Sequence, residues 1–267
     1  MTSRAVTRQL PTTSSLVRAT LPALVTLAFV SVCAATGQDP ESAKLPFSTG
    51  EKLGYEVTLA NGSRVGEATM WIEGPVNVRG TSALILRFDS RIRFLLLPAM
   101  SSSSSWFDPV RGASLRFLKH ERNPLSRHDE SVDVYPDEKR WQSADGDKGT
   151  SLSDAPLDEL SFIYFIRTLP MTPGATYSFD RHFDSARNPI SVSVIRREVI
   201  PTPIGELHVV RLEMRVHDPG HYEGEGVIRI HLSDDACRLP VRIESTMPVV
   251  GTAILTIRSA QSLCQLH

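Results

Sequence analysis

Apolar residues recur at every second position through most of this chain, and no other feature restricts its fold so strongly. In His208–His217, Val210, Leu212, Met214 and Val216 fall on one side of an extended backbone, while Arg211, Glu213, Arg215 and His217 fall on the other. Successive side chains point to opposite faces of a strand, so this run has one dry face and one wet one. The pattern returns in Gly226–Ser233, with Ile228, Ile230 and Leu232 inward, and in Pro240–Ser245, with Val241 and Ile243 inward. Between the first two lies a segment rich in Pro, Gly and Asp that reads as a hairpin turn.

The N-terminal half has the same grammar. Asn61-Gly62 stands between two alternating runs, and this dipeptide supplies the positive φ angles of a tight hairpin turn. Leu84, Leu86, Phe88, Ser90, Ile92 and Phe94 share one face of a long strand, opposite Arg87, Asp89, Arg91 and Arg93. Residues 102–108, 113–121, 130–136, 176–183, 189–198 and 252–260 read as further strands. Short turns between about a dozen strands argue for an antiparallel meander. The serine run Ser101–Ser105 leads straight into Trp106-Phe107, which marks a small-residue strand against which something packs closely. Ser143–Thr150 reads as a polar loop.

One segment breaks the alternation. Ser153 or Asp154 can cap a helix with Pro156 in its first turn and Asp158 and Glu159 at its positive end, and Pro170 stops it. Leu157, Leu160, Ile163, Tyr164, Phe165 and Ile166 surround that helix, and a helix apolar nearly all round must be covered. The expected fold is therefore mainly β: a curved antiparallel meander forming a barrel or half-barrel, with one helix packed on the concave side.

Residues 1–37 carry Arg4, Arg8 and Arg18, no acid, and a short apolar run ending in small residues, the layout of a secretory signal peptide. Residues 38–45 read as a flexible leader and 46–267 as a single β-rich domain. Cys33 lies in a Val-Ser-Val-Cys sequence that resembles a bacterial lipobox but places Val32 where a small residue belongs, so lipid anchoring at Cys33 is the alternative to simple release. The expected location is outside the cytoplasm, periplasmic or extracellular. The 29 Lys and Arg residues lose three with the signal peptide, leaving 26 against 30 Asp and Glu, a balance that does not suggest nucleic acid. Of the three cysteines, Cys237 and Cys264 remain, in a compartment that permits disulfides. Folding the last two strands about Val249 brings them near each other, and a bridge would close a loop of about 27 residues and stabilise by roughly 3–4 kcal/mol.

Chemistry-bearing motifs are sparse. His217, His221, Glu223 and Glu225 fall within nine residues and could ligate a metal, but they sit on a turn, where such side chains are commonly just solvated. No G-x-S-x-G, P-loop or dinucleotide fingerprint occurs, and no cofactor is expected. A base for a serine nucleophile would have to come from a distance, as His182 would for Ser161 or the serine run. Arg181 shares the face of Tyr177, Phe179 and Phe183, either as a stem lying along the sheet or as a cationic anchor at the mouth of a cavity. Adjacent Asp234 and Asp235 read as turn chemistry.

Several stretches, taken in order, carry a family resemblance: 46–57 with 65–72, 101–117, the segment 158–177, 200–213, 228–245 and 250–257. Together they resemble the bacterial envelope family of unknown function numbered 3108, over about Pro46 to Ser259. The resemblance implies an exported β-rich domain with no established activity, so no catalytic residue is carried over from it. The first functional expectation is a non-enzymatic module that binds an apolar or amphipathic ligand, such as a lipid or lipoprotein part, in its concave face, lined by Arg181, Leu212, Met214, Ile228 and Ile230. The alternatives are an envelope interaction or assembly factor, and a hydrolase or metal-dependent enzyme. A membrane-spanning barrel is disfavoured by the charged faces at Arg87–Arg93 and Arg211–Arg215 and by only 7% aromatic residues.

Overall fold

Alternation this regular folds as a ladder of hairpins. The computed structural model describes residues 45–94, 97–124, 126–217, 225–247 and 251–262. The first arm contains β1 (Lys52–Leu59), β2 (Arg64–Val78), β3 (Thr81–Phe94), β4 (Leu97–Asp108), β5 (Ala113–Asn123), β6 (Ser126–Tyr135), β7 (Arg140–Ser143) and β8 (Lys148–Thr150). The second contains β9 (Thr176–Phe179), β10 (Ile190–Thr202), β11 (Gly205–His217), β12 (Glu225–Ser233), β13 (Pro240–Met247) and β14 (Gly251–Gln261). All are antiparallel neighbours in one sheet, and β1 pairs with β14, so the first and last strands lie side by side in its middle. The free edges belong to β8 and β9, and the barrel stays open between them. The segments read as signal peptide and, but for Leu45, flexible leader fall outside the described residues, as do His221, Glu223 and Cys264.

The two arms bury one continuous core. Its inner faces follow from register: Leu86 opposes Ile72, Met70 opposes Leu53, and Ile230 opposes Leu212 and Ile243. On the convex face, Arg211 and Arg229 engage Glu213, and Arg229 also reaches Glu244, a row of ions that hydrocarbon would not solvate. Among the described residues no helix is long and apolar enough to cross a membrane.

Three local readings are corrected. The helix α1 spans Glu159–Phe165, followed by a 3₁₀ turn at Ile166–Thr168, and its cap is Asp158 rather than Ser153 or Asp154. The residues before it are committed elsewhere: Leu157 donates to the Arg181 carbonyl (2.6 Å) and accepts from Phe183 N (2.9 Å), and the Pro156 carbonyl accepts from Ser114 N (2.8 Å). The polar stretch 143–150 contributes the short edge strand β8, where Gly149 lets the Trp141 indole lie flush: a Cβ there would come within 2.7 Å of its ring nitrogen. At the first hairpin only Gly62 adopts positive φ, and Asn61 instead accepts from Ser63 N through its side chain (3.0 Å).

Candidate functional site

The concave face has a base, closed by the helical segment, and a rim, formed by the β1/β2, β3/β4, β5/β6, β11/β12 and β13/β14 hairpins. The helix lies across the base because both its ends are tied to the sheet. At its start, Asp158 accepts from Leu160 N (3.0 Å) and Ser161 N (2.8 Å), while Ser161 Oγ accepts from Asp158 N (2.9 Å), a capping box. The second carboxylate oxygen of Asp158 accepts from Ser105 Oγ at 2.5 Å, and Ser114 Oγ lies 2.8 Å from Ser161 Oγ. All four residues are buried, and burial pushes the Asp158 carboxyl up to about 6 against the pull of its hydroxyl partners. The serine run thus does as its sequence suggests. Ser105 faces inward and lets the helix cap approach, while Ser104, on the opposite face, accepts from Arg87 (2.8 Å).

At the other end, Arg167 is wholly buried. Its guanidinium forks onto both Glu51 carboxylate oxygens (2.6 and 2.8 Å) and also donates to the Pro46 (2.9 Å) and Cys237 (3.0 Å) carbonyls. It lies against the rings of Phe47 and Tyr164, 5.2 and 5.5 Å from their centroids. The turn between β12 and β13 completes the seal. Asp235 accepts from Cys237 N (2.9 Å), Arg238 N (3.0 Å) and Ser233 Oγ (2.8 Å), so its carboxylate is turn chemistry as the sequence implies. Asp234 points away to Arg197 (2.8 Å). Arg238 caps the helical segment by donating to the Arg167 and Leu169 carbonyls.

Toward the rim the inner face is not uniform. On β3 and β11–β14, Ile92, Val216, Ile228, Ile243 and Leu255 are only half-buried, although register places them on the same inner face as fully buried neighbours. On β5 and β6 the same face carries Lys119 opposite Glu130 and Glu121 opposite His128. Lys119 reaches Glu159 and Glu121 (both 3.4 Å), and Arg187 reaches Glu159 (2.6 Å). Burial alone would raise Glu159, but Lys119 and Arg187 hold its carboxyl down at about 2. Burial and the Glu159 charge raise Glu130. The concave face is therefore amphipathic, with half-buried apolar side chains on β3 and β11–β14 and ionic ones on β5 and β6.

Of the residues expected to line it, Leu212, Met214 and Ile230 are fully buried and form the floor, while Ile228 belongs to the half-exposed wall. Arg181 is a brace. It donates to the Ala155 (2.8 Å) and Gly112 (2.6 Å) carbonyls and lies over the Phe165 ring at 4.3 Å. His217 ends β11 opposite Glu225. His182 accepts from Asp184 N through Nδ1 (3.1 Å), its Nε2 has no partner, and burial lowers it to about 4. No serine hydroxyl is therefore bonded to it, and Ser161 is consumed by the helix cap. Sequence reasoning missed Glu51 and Arg167, whose only signal was a charge inside an otherwise apolar helix.

A curved antiparallel shell plugged at one end by a helix defines a β-barrel-like class, and one solved structure agrees. The fold is similar to the crystal structure of a β-barrel-like protein of the domain of unknown function DUF1849 from Brucella abortus, with a TM-score of 0.56 at 10% identity, covering 80% of this chain and 98% of that one. A protein described as exported, with a YmcC-like fold, from Bacteroides fragilis aligns at a TM-score of 0.30 and 12% identity over 82% of this chain and 98% of that one. No curated protein matches. Residues 54–258 match the family described as a protein of unknown function, DUF3108, and the chain belongs to that family.

Proposed function

We propose that the chain is an exported, non-catalytic envelope protein that holds an apolar or amphipathic ligand, a lipid or a lipid-bearing part of another protein, against the rim half of its concave face. The observation that carries this reading is the set of half-buried apolar side chains Ile92, Val216, Ile228, Ile243 and Leu255 on the same inner face that carries Lys119 and Glu130. Burying the remaining apolar area of such a wall favours association by roughly 25 cal/mol per Å². The ionic wall supplies the polar complement that an amphipathic molecule needs. The non-catalytic part of the reading is supported by the hydroxyls and carboxylate around Asp158, which are sealed and mutually bonded, out of reach of a substrate.

Titration with a fluorescent fatty-acid probe tests the reading. Ile243→Glu places a charge in the apolar wall and is expected to weaken uptake at least tenfold, whereas Glu244→Gln on the convex face leaves it unchanged. Equal uptake by both variants, or none by the parent, removes the proposal. A docking role for a protein partner is favoured by one feature, the unpaired edge of β9 (Thr176–Phe179), and crosslinking in cells tests it.

A further inference from the structure

Arginines in this protein are almost all spoken for. Among the described residues only Arg64, Arg91, Arg93 and Arg122 lack an ion-pair or hydrogen-bond partner. All four are exposed, and all four lie at the rim end of β2, β3 and β5. Register aligns three of them closely. Arg91 opposes Met100, which opposes Arg122, and Arg93 opposes Pro98 one step nearer the tip. The neighbouring acids do not neutralise them: Glu67 is held by Arg258 and Asp129 by Arg127 and His120, while Asp89 forms no ion pair with them.

The same hairpin carries exposed apolar side chains. Leu97 and Met100 are each 50% exposed, Leu97 by its strand parity toward the concave side and Met100 toward the convex side. An apolar hairpin end fringed by unneutralised cations suits a boundary where hydrocarbon meets negative charge. We infer that the β3/β4 hairpin docks this rim onto the surface of an anionic phospholipid bilayer, with Leu97 and Met100 entering the headgroup layer and the arginines meeting phosphates. The inference stands independently of whether the concave face holds a ligand. It also gives a chain with more acidic than basic residues a local way to approach an anionic surface.

Vesicle flotation tests it, using the chain with Cys33→Ser so that no lipid anchor can form. The protein is expected to float with phosphatidylcholine vesicles containing phosphatidylglycerol, to release as salt rises, and to ignore pure phosphatidylcholine. Each basic residue near such a surface contributes about fivefold to partitioning, so Arg91→Gln, Arg93→Gln and Arg122→Gln together should weaken it on the order of 100-fold. Leu97→Ser with Met100→Ser should abolish whatever binding survives high salt. Circular dichroism and thermal unfolding, expected unchanged for these exposed sites, show that each variant is folded. Failure to float, equal binding to neutral vesicles, or undiminished binding by the folded triple variant overturns the inference. Capture by polyglutamate without flotation also overturns it and assigns the arginines to an acidic polypeptide.

Discussion

Replacing Glu51 by glutamine removes one charge from a fully buried ion pair while keeping its shape. The Glu51 and Arg167 side chains are 2% and 0% exposed and joined at 2.6 Å. Such a pair contributes little net stability against an apolar substitute, but breaking it strands a charge in the core, at about 3–5 kcal/mol. For a domain of this size each kcal/mol moves Tm by about 2–4 °C, so Glu51→Gln should lower Tm by about 6–20 °C. Arg167→Met also strips a donor from the Pro46 and Cys237 carbonyls, adding about 1–3 kcal/mol for each. The double variant should lose less than the sum of the singles, by about 2 kcal/mol, because neither leaves a stranded partner for the other. Urea and thermal unfolding monitored by circular dichroism measure all three. A Glu51→Gln protein within about 1 kcal/mol of the parent, or losses that simply add, would refute the reasoning that this pair anchors the helix across the base.

Other consequences concern pH, packing and covalent structure. Asp158, raised by burial to about 6 from 3.8, binds its proton more tightly when folded, so its stabilising contribution is present at low pH and lost as pH rises through about 6. His182, lowered by burial to about 4 from 6.5, acts in the opposite sense: its contribution is present above 6.5 and lost as pH falls toward 4. Each amounts to about 3 kcal/mol and they oppose each other, so chemical denaturation of the parent should show a shallow pH dependence between 6.5 and 4.5, below which Glu159 begins to cost stability. Asp158→Asn should then lose stability on acidification from pH 6.5, and His182→Gln should gain it. Gly66→Ala would put a Cβ 2.1 Å from the Arg91 carbonyl oxygen, forcing β2 from β3 and lowering stability by about 1–3 kcal/mol, readable as a drop in Tm. In the exported protein, Cys237 and Cys264 are expected to form a disulfide. The β13/β14 register pairs Ser245 with Ala253, an offset that leaves a bulge or bend to bring Cys237 and Cys264 together. Intact mass after thiol alkylation should show no labelling at either residue, and two labelled thiols would contradict it.

Strands were legible because their signal is local. Val210, Leu212, Met214 and Val216 declare an inner face by spacing alone, and the serine run declares a close approach by size alone. The position of the helix cap was not, because what excludes Asp154 is a bridge from Leu157 to His182, 25 residues away in sequence. Strand β8 went unread because its pairing rests on Gly149 fitting under Trp141, not on any apolar pattern. The Glu51–Arg167 pair spans 116 residues, and a single arginine at a helix end carries no sign of which acid it will meet. The candidate site was half visible: Ile228 and its neighbours lay in the alternation. Lys119 and Glu130 lie in strands the sequence suggests, but nothing in the alternation marked them as inward-facing; register does.

The central claim is that the rim half of the concave face exists to be filled. Native mass spectrometry of the protein purified without detergent, followed by organic extraction and lipid analysis of the bound fraction, tests it most directly. The account predicts an adduct of lipid mass that Ile243→Glu no longer retains. A bare polypeptide mass from parent and variant alike, with an empty extract, would contradict it.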